Sequence, residues 1–131
     1  MNNKTQGIAR DAFGLWLSGL FKTVAGWNPD MTFDQHKEEF FLVIEELLDA
    51  GEIKFIAPGA DVYVSDLNPN PAFKIEDESC HWSIGSEEIV RYLRSQWPRD
   101  VAHEDDEDLV VYFFEMPSII WVADDGSYLA S

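Results

Sequence analysis

Apolar residues recur at helical spacing through the first fifth of the chain. Phe13, Trp16, Leu17, Leu20, Phe21 and Val24 lie three or four residues apart, which predicts one amphipathic helix from about Ile8 to Ala25. Gly26 and the Asn28-Pro29 pair end it. Leu15 and Trp27 fall off this stripe. A second stripe follows: Phe33, His36, Phe40, Val43, Ile44, Leu47 and Leu48. Thr32 and Gln35 have the spacing of a capping box, and Gly51 falls where a left-handed C-cap ends a helix. Glu38, Glu39, Glu45, Glu46 and Asp49 make most of the solvated side, and His36 lies at the margin as a hydrogen-bonded boundary histidine.

Beyond Gly51 the pattern changes. Ile53–Ala57 reads as a strand, Pro58-Gly59 as a tight turn, and Val62-Tyr63-Val64 as a possible return strand. Ser65–Gly85 has no regular period, and Asn68-Pro69-Asn70-Pro71 disfavours both helix and strand. Phe73, Ile75 and Trp82 are the residues expected to pin this loop down. Ser86 is a candidate cap for a third helix with Glu87 and Glu88 in its first turn; Ile89, Val90, Leu93 and Trp97 give its buried side and Pro98 its end.

The run Leu109–Glu115 is apolar almost without alternation and is predicted to be a central strand covered on both faces. Ile119–Ala123 and the segment around Tyr128 follow it, joined by an Asp125-Gly126 hairpin turn in which both residues tolerate positive φ. The order predicts a single α+β domain over residues 1–131. Three helices pack on an antiparallel sheet of three to five strands, with a C-terminal meander.

Charge changes the picture most. The 131 residues carry a formal net charge of −16. Residues 30–99 hold 6 basic and 15 acidic side chains, and residues 100–131 hold 9 acidic and none basic. The densest segment is His103-Glu104-Asp105-Asp106-Glu107-Asp108. Such a balance repels nucleic acid and anionic membranes and favours a basic protein partner. Its plain alternative is solubility. Arg91, Arg94 and Arg99 form the only basic cluster and are expected to neutralise the acidic run.

Candidate chemistry is sparse. Cys80 and His81 are adjacent, and no second cysteine completes a zinc set. The acidic run lacks the spacing and the glycine of a calcium loop, and Asp124-Asp125-Gly126 reads as a turn. There is no Gly-x-Ser-x-Gly elbow, Walker loop or Gly-x-Gly-x-x-Gly. No catalytic residue, metal or cofactor is therefore expected. A lone cysteine points to a reducing, cytoplasmic setting. No apolar stretch approaches the ~20 residues of a membrane span, and the N-terminus lacks a convincing signal peptide.

Several patterns carry a resemblance: Phe40 with Leu47-Leu48 and Gly51 before Ile53-Lys54, Trp97-Pro98, Tyr112-Phe113-Phe114 with Pro117, and Ile120-Trp121-Val122 with Asp125-Gly126. Together they resemble a small bacterial family catalogued as domain of unknown function 596, from roughly Phe33 to the end. The resemblance implies a compact α+β protein without assigned catalysis, similar to the immunity proteins that neutralise bacterial toxins. The leading expectation is therefore an acidic inhibitor of a basic toxin, such as a nuclease, in whose basic cleft Glu104–Asp108 would imitate the phosphate backbone of nucleic acid. Trp82 and Trp97 are its expected aromatic anchors. The alternatives are a structural or oligomeric module, such as a homodimer, and a small enzyme using the Ser65–Gly85 loop as a lid, which a pocket gathering His81 or His36 with carboxylates would reveal.

Overall fold

The computed structural model describes all residues, 1–131. Five helices surround one face of a three-stranded antiparallel sheet. They are α1 (Asn3–Ala12), α2 (Leu17–Trp27), α3 (Phe33–Asp49), α4 (Ser86–Ser95) and α5 (Glu107–Glu115), with a short 3₁₀ turn at Glu78–Cys80. The strands are β1 (Ile53–Phe55), β2 (Ile119–Val122) and β3 (Tyr128–Ala130), in the order β1-β2-β3. The mixed α+β class stands, with five helices in place of three.

The expected first helix is two. Gly14 adopts a positive φ of 86°, a conformation that ends α1 as a C-terminal glycine commonly does. Leu17, Leu20, Phe21 and Val24 of the stripe are buried on α2, whereas Phe13 and Trp16 belong to the exposed corner between the helices. Gly7 lets the hairpin close, because any Cβ there would overlap the Trp27 ring. The second stripe folds as read: Thr32 accepts from the Gln35 amide at 3.2 Å, and the Gln35 side chain accepts from the Thr32 amide at 2.8 Å. Gly51, at φ 73°, follows the end of α3. Ser86 does not cap α4; its hydroxyl donates to Asp49 of α3 instead.

The larger correction concerns Leu109–Glu115, which is helix α5 and not a strand. Leu109, Tyr112 and Phe113 face inward at helical spacing. Glu107 and Asp108 occupy the first turn, where the helix dipole favours anions. The strand covered on both faces is β2 instead. Ile53, Phe55, Ile119 and Trp121 join the helices in the main core, while Ile120 packs the other way with Ile56, Val62 and Cys80. Register puts Ile53 opposite Trp121 and Phe55 opposite Ile119. The second face is covered by the long loop, pinned as expected by Phe73 and Ile75. Val62–Val64 forms no strand. In the β2–β3 hairpin only Gly126 has positive φ, so Asp125 does not share the mirror-image turn expected of it. A turn closed by Gly126 N–H on the Ala123 carbonyl, followed by the left-handed glycine, fits the three-residue hairpin class.

Candidate functional site

The acidic run has two structural roles before it has any other. Asp106 precedes α5, and its carboxylate accepts from the amides of Ala102 at 2.7 Å and His103 at 3.2 Å. His103 Nε2 lies 3.0 Å from the same carboxylate. These contacts, the Ala102 amide foremost, hold the Asp106 carboxyl below the usual carboxylate range. Glu107 and Asp108 belong to the first turn of α5. Glu104 and Asp105 remain exposed with no ion pair. The arginines do not neutralise the run: Arg94 Nη1 donates to both carboxylate oxygens of Glu38 on α3, at 2.7 and 2.9 Å, and Arg91 pairs with Glu87 within α4.

The two tryptophans expected as anchors are placed otherwise. Trp97 is half-buried among Phe21, Phe33, Phe40, Phe41, Tyr112 and Phe113, with ring centroids 5.2 to 6.4 Å away. It is part of the core, because the α4–α5 connection folds back over α3. Trp82 is also half-buried, edge-on to Tyr92 at 5.2 Å.

Two other rings stand beside the acidic segment. Trp16 is 54% exposed and Phe114 is 75% exposed, with centroids 6.4 Å apart. Trp16 precedes the first residue of α2, yet it makes no side-chain cap bond, and tryptophan is not a capping residue. The corner that presents it is fixed from below, since the Trp121 indole donates to the Leu15 carbonyl at 2.9 Å and Phe13 packs on the Trp121 ring. Phe114 comes from the outer side of α5, with Val110 and Val111 exposed beside the buried stripe. α5 is held in turn by Tyr112, whose hydroxyl donates to the Leu93 carbonyl at 2.6 Å. Burial raises the Tyr112 phenol far above its ordinary range.

The Trp16–Phe114 pair forms a ridge between two depressions. One, of about 260 Å³, is bordered by Trp16, Phe114, Val110, Lys22, Glu104 and Asp105. The other, of about 700 Å³, runs from the ridge to the 57–63 loop. Reading Leu109–Phe114 as a strand concealed Phe114. Read as a helix behind an acidic first turn, the same residues leave Val110, Val111 and Phe114 outside the core stripe, which is the signal that finds them.

Other candidates do not gather. Cys80 Sγ donates to the carbonyls of Asp77 and Lys74, and His81 Nε2 donates to the Ile75 carbonyl at 2.6 Å, so the neighbours do not meet. Burial foremost, then the Asp77 charge, pushes the Cys80 thiol up. His36 Nε2 donates to the Asn28 carbonyl at 2.7 Å, the boundary contact its position implied. No three His, Cys, Asp or Glu side chains converge to hold a metal ion. No helix is long and apolar enough to cross a membrane.

No protein-family model matches the chain, and no curated protein does. A solved structure does: an uncharacterized protein conserved in bacteria, from Neisseria meningitidis. It is similar over 96% of this chain and 85% of its own, at 20% identity and a TM-score of 0.66. That likeness is one of fold, and the fold is thus shared with an uncharacterized conserved bacterial protein.

Proposed function

We propose that this chain is a binding protein for a basic protein partner, docked on the Trp16–Phe114 ridge and steered by Glu104, Asp105, Glu107 and Asp108. The immunity protein of a bacterial toxin is the specific role that fits this reading. One observation carries it: two large aromatic rings stand exposed together at the border of the acidic segment. Leaving a side chain of that size in water forgoes about 1.5–3 kcal/mol of burial. Exposed apolar residues are ordinary singly, but a contiguous patch rimmed by charge is the anatomy of an interface. The formal charge of −16 supplies long-range attraction for a cationic surface, and the rings supply the anchors that charge alone does not.

Affinity capture from its own cells at low salt, eluted with rising salt, tests the reading. A basic protein should be retained and released as screening sets in. Neutralising Glu104, Asp105, Glu107 and Asp108 to their amides should lower the release salt, while Asp106 is left to close its loop. Retention indifferent to those amides would sink the steering role. Salt-insensitive retention of the chain by itself would make the ridge a self-association face instead.

A further inference from the structure

The groove on the other side of the ridge is a separate matter. It is bordered by five aromatic residues, among them Trp16, Tyr63, Tyr92 and Phe114, and by Asp61 and Glu115 as its charged side chains. No Lys, Arg or His lines it. Its volume of about 700 Å³ lies within the ~300–1,000 Å³ of ligand clefts. The far wall is built and not loose. Asp61 accepts from the Ala72 amide at 2.8 Å and from the Asn68 side chain at 2.7 Å, while Asn68 also donates to the Tyr63 carbonyl at 2.9 Å. Tyr63 Oη and Ser118 Oγ, both from the groove lining, are hydrogen-bonded at 2.8 Å, tying the loop to the segment before β2.

Aromatic faces with carboxylates and no competing cation make a site for a cation that is also flat. A guanidinium stacks on rings and forks onto carboxylates, whereas an ammonium is a compact, strongly hydrated point charge. We propose that this groove receives an arginine side chain of the basic partner, stacked against the aromatic walls and paired with Glu115, while Asp61 braces the loop wall. The assignment rests on the docking reading above, for it names the partner group that engages beyond the ridge.

The test needs no partner. Isotope-labelled protein is titrated with n-butylguanidinium, n-butylammonium and the neutral n-butylurea, following backbone amides and the Trp16 indole by NMR. The expected result is saturable shifts at Asp61, Tyr63, Glu115 and Trp16 with the guanidinium, and weaker binding of the other two. Glu115→Gln, an exposed change, should weaken guanidinium binding about fivefold, and Tyr63→Leu should weaken it by removing one aromatic wall. Absence of saturable shifts at these residues overturns the proposal, as does equal binding of the urea or the ammonium. A silent groove in a protein that still captures a basic partner through the ridge rejects this inference and spares the docking reading. Saturable guanidinium binding, with capture indifferent to the ridge, rejects docking and with it the partner's arginine as the occupant.

Discussion

The buried aromatic cluster and the exposed aromatic ridge use the same residue types, and α5 contributes to both. Phe113 faces inward against Phe21, Phe40 and Trp97, whereas its neighbour Phe114 leans on Trp16 in solvent. One residue of helical rotation separates scaffold from the proposed docking surface. The lesson is that aromatic content says nothing of role until the period is known. A strand would have put these two rings on opposite sheet faces, both covered. A helix places Phe113 in the core stripe and leaves Phe114 outside it.

The sharpest way to break this contrast is at Trp97. Trp97→Ala should cost about 3–5 kcal/mol of stability, read as a lowered denaturant midpoint, because the cavity would open in the middle of six rings. A loss under about 1 kcal/mol would mean that Trp97 is free to serve as the exposed anchor expected of it from the sequence. Trp16→Ala with Phe114→Ala should show the converse: stability altered by less than about 1 kcal/mol, and partner affinity reduced by about 2 kcal/mol or more. Thermal melts and equilibrium binding of the two variants separate the regions directly. A smaller effect calibrates both. Thr32→Ala removes the capping box of α3 and should cost about 1 kcal/mol of stability with no change in binding.

The smallest effect is in acid. Asp61, Asp106 and Asp125 are held below the usual carboxylate range by hydrogen bonds, led by the Ala72 amide, the Ala102 amide and the Ser127 hydroxyl respectively. Folded values below unfolded ones mean a stabilisation that is complete above the unfolded pKa of about 3.9 and fades as pH falls through the folded values. Urea midpoints should therefore drop below about pH 4, and less so in the triple Asn variant, whose starting stability is lower. An equal acid drop in wild type and variant would deny these contacts that role.

Much of the scaffold was legible from the sequence. Thr32, Gln35 and Gly51 delimit α3 because caps have specific chemistry, and Asn68-Pro69-Asn70-Pro71 excludes regular structure for covalent reasons. The break at Gly14 was not legible, because the stripe from Phe13 to Val24 continues through it at the right spacing. The nature of Leu109–Glu115 was hidden for a different reason: a short run that is apolar up to Phe114 has no period of its own. The decisive signal lay just upstream, in Asp106-Glu107-Asp108 as a helix start. At the candidate site, the acidic run was legible as a stretch of charge, but its division was not. Asp106 is committed to its own loop, and only the folded chain shows that the rings beside Glu104 and Asp105 are Trp16 and Phe114.

The central claim is that function resides on the outer ring pair of a rigid acidic scaffold. Its most direct test compares low-salt capture from the native cells by the wild-type chain and by Trp16→Ala/Phe114→Ala, with equal folding of both verified by circular dichroism. The account predicts a basic protein retained by the wild type, released by salt, and absent from the double variant. The same basic protein retained equally by both would contradict it.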